Sequence, residues 1–337
     1  MGYTISDIAR MAGVSKATVS RVINDKSEGV GETTKLRIQQ LIREIDYHPN
    51  SLARSVAIAR SDTIGVVIPD IGNHFYNTVL RGIDDYISEH GYSMLLCNSD
   101  NDPQKEQQHL MRFVDKRVDG IILCSGLSNE EFLRGYRRFE IPTVLIGRKF
   151  DTYVSDAGVT GDNVSGALEA VGHLIRGGNR HILYLDGVPG TSGCISRLEG
   201  YRRAMEQAGL SARPEYIRQG AFSVEYGHRA ILGALDEGLQ FDAVFSGSDL
   251  AAIGAVRALT ERGMRVPEEI EVIGFDDLDF AGIFAPPLST VAKPHYTMAK
   301  EAARMLLGIL NGDDSCRRHT VFASSLVLRK TTRPVTS

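Results

Sequence analysis

Apolar residues in the first part of the chain recur every three or four positions, a spacing that predicts short helices with one buried face. In the first predicted helix this face consists of Ile8, Ala9 and Ala12. Thr4 stands before these positions and Asp7 three residues after it, which is the pattern of a capping box. We therefore expect a helix that begins directly after Thr4.

A second predicted helix follows after a short turn. Gly13 can take up the positive φ of a sharp turn, and Ser15 can cap a helix whose Val19, Val22 and Ile23 point back at the first. The outward positions are Lys16, Ala17, Thr18, Ser20, Arg21 and Asn24. This pattern predicts a helix-turn-helix, with its second helix in the DNA major groove, where small and cationic side chains suit bases and phosphates. A helical hairpin that only packs is the alternative.

A third helix is predicted from Glu32 to Ile45, and Pro49 ends this small all-α head. The following residues, Asn50 to Ala59, have a good N-cap and one apolar face, which favours one more short helix. A helix of this length is not stable alone in water, so it should form only against its copy in a partner chain and DNA. An ordinary linker is the alternative.

From Thr63 onward the pattern changes to apolar runs of strand length, separated by amphipathic helical stretches. The runs are at residues 64–68, 93–97, 120–123, 143–146, 181–185, 216–218, 243–245 and 272–273. Continuous apolar strands that alternate with helices predict parallel sheets covered on both faces, and this series is too long for one sheet. We therefore expect an α/β core of two doubly wound parallel-sheet lobes, with a ligand cleft beyond the carboxyl ends of the strands.

The loops at these strand ends are rich in carboxylates, amides and aromatic rings. They comprise residues 69–76, 98–102, 246–249 and 274–277, together with a Gly- and Ser-rich loop at 187–197. Asp, Asn and Arg side chains hydrogen-bond to hydroxyl groups and an aromatic ring covers the apolar face of a sugar, so these loops favour a neutral, hydroxyl-rich ligand. Helix capping or solvation is the alternative role for each polar residue taken singly.

The charge distribution favours an anionic partner for the head. Residues 1–60 contain nine Lys and Arg against six Asp and Glu, whereas the whole chain contains 38 against 42, a net charge of −4. A basic head on an acidic body fits contact with double-stranded DNA.

The cysteines and the search for targeting segments indicate the cellular compartment. The four cysteines have neither metal-ligand spacing nor disulfide density, and no signal peptide or membrane-spanning apolar run is visible, so we expect a cytoplasmic protein without a membrane partner. A loose N-myristoylation pattern at residues 1–6 is set aside, because Thr4 and Ser6 already belong to a helix start.

Several segments resemble the lactose-repressor family of bacterial transcription regulators, and the resemblance runs nearly from end to end. The most specific are VSKATVSRVIN at 14–24, YHPNSLARS at 47–55, DGIIL at 119–123, RLEGY at 197–201 and IGFDD at 273–277. The resemblance implies a repressor that binds a palindromic operator as a homodimer, with a hinge helix and a core like the periplasmic sugar-binding proteins. A small-molecule effector, expected to be a mono- or disaccharide rather than a purine, would bind between the lobes.

The resemblance also implies the domain boundaries. Residues 1–48 would form the helix-turn-helix head, 49–60 the hinge helix and linker, and 61–337 the effector-binding and dimerisation core. Within the core, the first lobe would take about 61–160 and 291–322, and the second about 161–290 and 323–337. The chain ends without a heptad tail, which favours a dimer over a tetramer.

Carried over by position, Lys16 and Ala17 match the two places that choose operator bases, and Arg21 matches an arginine that contacts guanine. Thr18 and Ser20 match positions that contact phosphates or thymine methyl groups. The further expected DNA contacts are Asn24, Asn50, Leu52, Ala53, Arg54 and Val56. The family usually places a leucine wedge in the minor groove where this chain has Val56, which predicts a weaker or shallower kink.

An effector pocket is implied in the same way. Phe75 matches the ring that stacks on the effector, and Arg197 matches the arginine that binds it. The remaining candidates are Phe222 as a second aromatic wall, Asp249 and Asp276 as acidic residues at strand ends, and Arg148.

Two other functions fit parts of the sequence. A sugar-binding protein without a DNA role would share the core, but the helix-turn-helix favours a regulator. An enzyme is not expected, because no dinucleotide, phosphate-loop, nucleophile-elbow or zinc-protease motif occurs. Asp276, Asp277 and Asp279 could suggest a metal site, but we interpret them as hydroxyl ligands or caps, so neither a metal nor a cofactor is expected.

Overall fold

The computed structural model describes residues 3–23, 28–47, 60–124, 130–148, 155–313, 316 and 319–334. Contacts along the chain divide it into two units, Met1–Ser61 and Asp62–Ser337. The expectations for Asn24 and for the hinge segment, with Asn50, Leu52, Ala53, Arg54 and Val56, lie outside the described residues.

The first unit contains helices at the predicted places. They are α1, Ile5–Ala12; α2, Lys16–Ile23; and α3, Glu32–Glu44. The capping box is confirmed, because Asp7 N–H donates to Thr4 Oγ1 at 3.3 Å and Thr4 N–H donates to Asp7 Oδ2 at 3.0 Å. Ile8, Val19 and Ile38 are fully buried, one from each helix, so the three apolar faces meet in one small core.

The second unit contains two six-stranded sheets. The strands are β1, Thr63–Ile68; β2, Ser93–Asn98; β3, Gly120–Cys124; β4, Thr143–Ile146; β5, Ala157–Gly161; β6, Ile182–Asp186; β7, Ile217–Gln219; β8, Ala243–Ser246; β9, Glu271–Asp276; β10, Ser289–Ala292; β11, His319–Phe322; and β12, Ser325–Val327. The first sheet has the order β11-β5-β4-β3-β1-β2, and the second has the order β12-β10-β9-β8-β6-β7. Neighbouring strands are parallel except for the antiparallel pair of β10 and β12.

Helices cover both sheets. They are α4, Phe75–Glu89; α5, Pro103–Lys116; α6, Glu130–Tyr136; α7, Asn163–Arg176; α8, Ser192–Gln207; α9, Val224–Asp236; α10, Asp249–Glu261; and α11, His295–Leu310, with 3-10 turns at Arg137–Phe139 and Pro214–Tyr216. Strands β3, β4, β6, β8 and β9 are buried along their whole length, as expected for parallel strands covered on both faces. This confirms the predicted core of two doubly wound lobes.

The chain passes between the two sheets at three places, after β5, after β10 and after β11. The first and third passages are tied together: Asp162 N–H donates to Phe322 O at 2.8 Å, and Ser324 Oγ donates to Asp162 O at 2.9 Å. The second passage runs through Lys293 and Pro294 into α11, which packs on the first sheet. The passages therefore lie side by side at the base of the cleft.

Four strands and one helix were not recognised as elements in the sequence. They are β5, β10, β11, β12 and α11. The edge strands β11 and β12 are three or four residues long and only partly buried, so their composition carries little apolar signal. Within the described residues, no helix is both long enough and apolar enough to span a bilayer.

Candidate functional site

The outward face of α2 is the first candidate site. Lys16, Ala17 and Arg21 are exposed, whereas Thr18 and Ser20 are partly buried. Among the described residues Lys16 and Arg21 form no ion pair, which leaves both cations available to an anionic partner. The structure thus places these five predicted DNA contacts on one short helix.

Ser15 fixes the beginning of that helix. Its hydroxyl accepts the Thr18 backbone N–H at 3.1 Å and lies 2.9 Å from the Thr18 hydroxyl. A serine in this role satisfies one of the backbone N–H groups that a helix start leaves without a partner. The tight turn before it has Gly13 at φ 65°, the conformation for which glycine was predicted.

The second candidate site is a cavity of about 120 Å³ at the carboxyl ends of the strands of both sheets. Its walls include Asp70, Asn73 and Phe75 from the first lobe, Thr191, Arg197, Phe222 and Asp276 from the second, and Asn163, Lys293 and His295 beside the passages. The structure therefore brings four of the six predicted effector-binding residues together.

Arg197 is a buried polar group of this cavity. It projects from α8, and only 7% of its surface is exposed. The guanidinium carbon lies 5.0 Å from the ring centre of Phe222 and 4.8 Å from that of Phe275. Its closest carboxylate, Asp276, is 4.0 Å away, and it has no hydrogen bond to another described residue. A buried guanidinium with free donors is suited to a ligand that carries oxygen acceptors.

The position of Phe222 depends on a glycine. A Cβ atom at Gly187 would come within 2.1 Å of the Phe222 ring. Gly187 follows β6 directly, and only a residue without a side chain lets the tip of the ring approach this loop so closely. The aromatic wall of the cavity is thus built from two loops of the second lobe.

Asp276 ends β9 and has a strained backbone. Its φ is 110°, a value that costs free energy for any residue with a side chain. Two contacts hold it: Lys293 Nζ lies 3.0 Å from its Oδ1, and His295 Nε2 donates to its carbonyl oxygen at 2.9 Å. Backbone strain of this kind is frequent at ligand sites, where surrounding contacts compensate for it.

His295 and Lys293 are buried beside Asp276. Burial, together with the nearby charge of Lys293, lowers the pKa of His295 to about 4, so the imidazole is neutral at pH 7. Burial also lowers the pKa of Lys293, while the nearby Asp276 carboxylate raises it. Phe75 meets the His295 ring edge-on, with 4.6 Å between centroids, which links the first lobe to this cluster.

Two predicted pocket residues lie elsewhere. Asp249 is completely buried and does not reach the cavity. Its oxygens accept Thr290 Oγ1 at 2.5 Å and Leu278 N–H at 2.8 Å, and burial raises its pKa to about 8. Arg148 is partly exposed and lines a neighbouring groove that shares Gly147, Gly161 and Asn163 with the cavity.

The sequence analysis missed Lys293, His295 and Asn163. The signal for Lys293 was weak, because it follows the short strand Ser289–Ala292, in which only Val291 and Ala292 are apolar. Asp277 was considered as a metal ligand in the sequence analysis. Its carboxylate accepts a hydrogen bond from Arg329 at 2.7 Å. The described part of the chain has no cluster of three or more metal-binding side chains.

Known protein families match both units. Residues 4–50 match the model of "Bacterial regulatory proteins, lacI family", and residues 171–332 match a "Periplasmic binding protein-like domain". The chain is 36% identical to the HTH-type transcriptional regulator RegA of Clostridium saccharobutylicum over 98% of this chain and 100% of that protein.

Solved structures show the same architecture. The lac repressor dimer bound to operator and the anti-inducer ONPF superposes with a TM-score of 0.89 at 25% identity, covering 98% of this chain and 99% of that chain. The complex of the transcriptional regulator CelR with cellobiose gives a TM-score of 0.74 at 30% identity, with 98% and 99% covered. Because RegA is 36% identical over 98% of this chain, the protein belongs to the lacI family of bacterial regulatory proteins. It is a DNA-binding transcriptional regulator, not an enzyme.

Proposed function

We propose that this regulator is a repressor that binds a palindromic operator as a homodimer and is controlled by a sugar in the cavity between its lobes. The observation that carries the proposal is Arg197, a nearly buried guanidinium without a hydrogen bond to any described residue, between two aromatic rings. Such a group gains one or two charge-assisted hydrogen bonds when a ligand oxygen arrives.

A sugar fits the remaining walls. Phe75 and Phe222 can cover apolar ring faces, while Asp276 and Asn73 can accept or donate to hydroxyl groups. A cavity of about 120 Å³ has room for on the order of ten water-sized groups, which corresponds to a monosaccharide more closely than to a disaccharide. Purines are the alternative ligand class.

The operator and the dimer are proposed from α2 and from the relatives. One eight-residue helix with two cations gives few contacts, and two copies on a two-fold symmetric site double them. The lac repressor structure is described as a dimer bound to operator, and this chain is similar to it along 98% of its length. The effector would change the operator affinity because it binds the DNA-competent and DNA-incompetent conformations with different affinities. The resulting coupling free energy is typically about 1–3 kcal/mol.

The effector part is tested by a thermal-shift screen of monosaccharides and nucleobases on the full-length protein, repeated with Arg197→Ala. We expect the best ligand to be a monosaccharide and to bind the variant at least tenfold more weakly. Arg203→Ala is the matched control, because Arg203 lies on the same helix but is exposed and paired with Glu199. Equal binding by Arg197→Ala and the parent would show that the ligand binds elsewhere.

The DNA part is tested by selecting operator sequences from random duplexes with the parent, Lys16→Ala and Arg21→Ala. The parent should select a palindrome, and each variant should lose discrimination by about 1–3 kcal/mol at the base that it contacts. Arg43→Ala, on the exposed face of α3, should keep the parent's preferred sequence. A parent that selects no symmetric sequence would contradict the homodimeric operator complex.

A further inference from the structure

Lys293 is a buried cation in the cavity wall that the sugar proposal does not use. It lies on the second passage between the sheets, and its side chain is 8% exposed. The ammonium group is 3.0 Å from Asp276 Oδ1 and 3.3 Å from Asn163 Oδ1. It also lies 4.9 Å from the ring centre of Phe275 and 5.7 Å from that of Phe75. The lysine therefore contacts both lobes and the first passage.

Among the described residues, the cavity interior has two buried cations, Arg197 and Lys293, and one buried carboxylate, Asp276. Arg197 and Lys293 both approach the same oxygen, Asp276 Oδ1, at 4.0 and 3.0 Å. One carboxylate oxygen thus serves two buried cations, and the shorter contact goes to the lysine. Arg197 is left beyond hydrogen-bonding distance of its closest carboxylate.

The other carboxylates near the cavity in the described part of the chain do not supply the missing acceptor. Asp186 is buried behind the wall, where its Oδ1 accepts Tyr184 Oη at 2.7 Å and Gly187 N–H at 2.9 Å. Asp249 is held by Thr290 and Leu278 and does not reach the cavity. Asp70 is partly exposed, and its Oδ1 accepts Gly72 N–H at 2.8 Å.

We propose that the effector is a sugar acid, a polyhydroxylated monosaccharide whose single carboxylate binds between Arg197 and Lys293. This deepens the proposed function and rests on it. A carboxylate offers two oxygens with about four lone pairs, so it can accept two parallel N–H groups from Arg197 and still receive Lys293. Asp276 then keeps an oxygen for a ligand hydroxyl, and the aromatic walls cover the ring of the sugar.

A neutral sugar has no carboxylate to place between Arg197 and Lys293. Its hydroxyl oxygens would face two buried cations that compete for one carboxylate, and weak acceptors compensate poorly for desolvated charge. The lysine thus selects by charge, while Arg197, Phe75 and Phe222 recognise a sugar of either kind. The distinction predicts a change of preference, and not a general loss of binding, when the lysine is neutralised.

Matched pairs of ligands test the proposal on the full-length protein by titration calorimetry at pH 7.5. The probes are glucose with glucuronate and gluconate, galactose with galacturonate and galactonate, and mannose with mannonate. We expect at least one acid to bind ten or more times more tightly than its neutral parent. Lys293→Gln should weaken that acid at least tenfold and change the neutral sugar less than threefold. Lys105→Gln, which removes the same charge from an exposed lysine paired with Asp100, should change neither.

The outcomes separate this inference from the proposed function. Neutral sugars that bind as tightly as their acids, or a Lys293→Gln variant that weakens both equally, would overturn the sugar-acid inference alone. Binding of a nucleobase with no binding of any sugar or acid would overturn both. Lys293→Arg keeps the charge and should retain acid preference, so it replaces the glutamine variant as the informative measurement if that variant melts early.

Discussion

His295 shows how its surroundings set the protonation state of a single cavity residue. A backbone carbonyl can only accept, so the 2.9 Å contact with Asp276 O requires the proton on Nε2. Burial lowers the pKa of the ring to about 4, so at physiological pH the neutral ring makes this bond as the Nε2-protonated tautomer. The strained Asp276 backbone is thus held by a histidine that burial prevents from charging.

Acid should therefore destabilise the protein through His295. The unfolded chain binds this proton below about pH 6.5, whereas the folded chain binds it only near pH 4, so stability falls as pH drops through that window. A shift of this size corresponds to about 3 kcal/mol. Urea unfolding at pH 7.5, 6 and 5 should show a shallower decline for His295→Asn than for the parent. The exposed His90→Asn variant should follow the parent, and an unchanged slope in His295→Asn would contradict the assignment.

Single residues also mark the limit of what the sequence could predict. Phe75, Arg197, Phe222 and Asp276 were predicted from positions that match the lactose-repressor family. Phe75, Arg197 and Asp276 also lie in the polar loops noted after strands, whereas Phe222 does not. Asp249 has the same local signature and still lies outside the cavity. Its carboxyl is held by groups 29 and 41 positions further along the chain, and no local pattern reveals such partners.

At the scale of elements, α9 and α10 approach each other unusually closely. A Cβ atom at Gly254 would lie 2.0 Å from Val224 O, and one at Gly227 would lie 1.9 Å from Ala251 O. Each helix therefore places a glycine against the backbone of the other. The apolar pattern predicted both helices correctly to within a residue, but it could not reveal that their contact requires glycine.

Gly254→Ala should consequently destabilise the protein by about 1–3 kcal/mol, because the added methyl group must push the two backbones apart. Gly233→Ala is the matched control, since it lies on α9 with no atom within 4 Å of the added Cβ. That control should be neutral or gain up to about 1 kcal/mol from helix propensity. Denaturant unfolding of both variants measures the difference, and equal stabilities would show that the helices separate without cost.

At the scale of the whole molecule, the chain divides into two units, and each unit has a hydrophobic core of its own. Strand and helix alternation predicted the two lobes, whereas the interleaved course of the chain was implied only by family resemblance. The passages could not be located from composition, because they are a few residues long and each follows a short strand.

A fragment of residues 62–337 should therefore bind the effector with an affinity within about threefold of the full-length protein and should not bind operator DNA. Ligand at a hundred times its dissociation constant should stabilise the fragment by about 2.7 kcal/mol. Calorimetry and DNA gel shifts on the same preparation measure both properties. A fragment that unfolds or loses the ligand would show that the first unit supports the second.

The interleaved strands have a consequence for synthesis of the protein on the ribosome. The first sheet is completed by β11 and the second by β12, both of which come after residue 318. Neither lobe can acquire its last strand until the residues from His319 onward have emerged, whereas α1 to α3 need no residue beyond Glu44. A nascent chain thus has a finished DNA-reading module long before it has a working sensor.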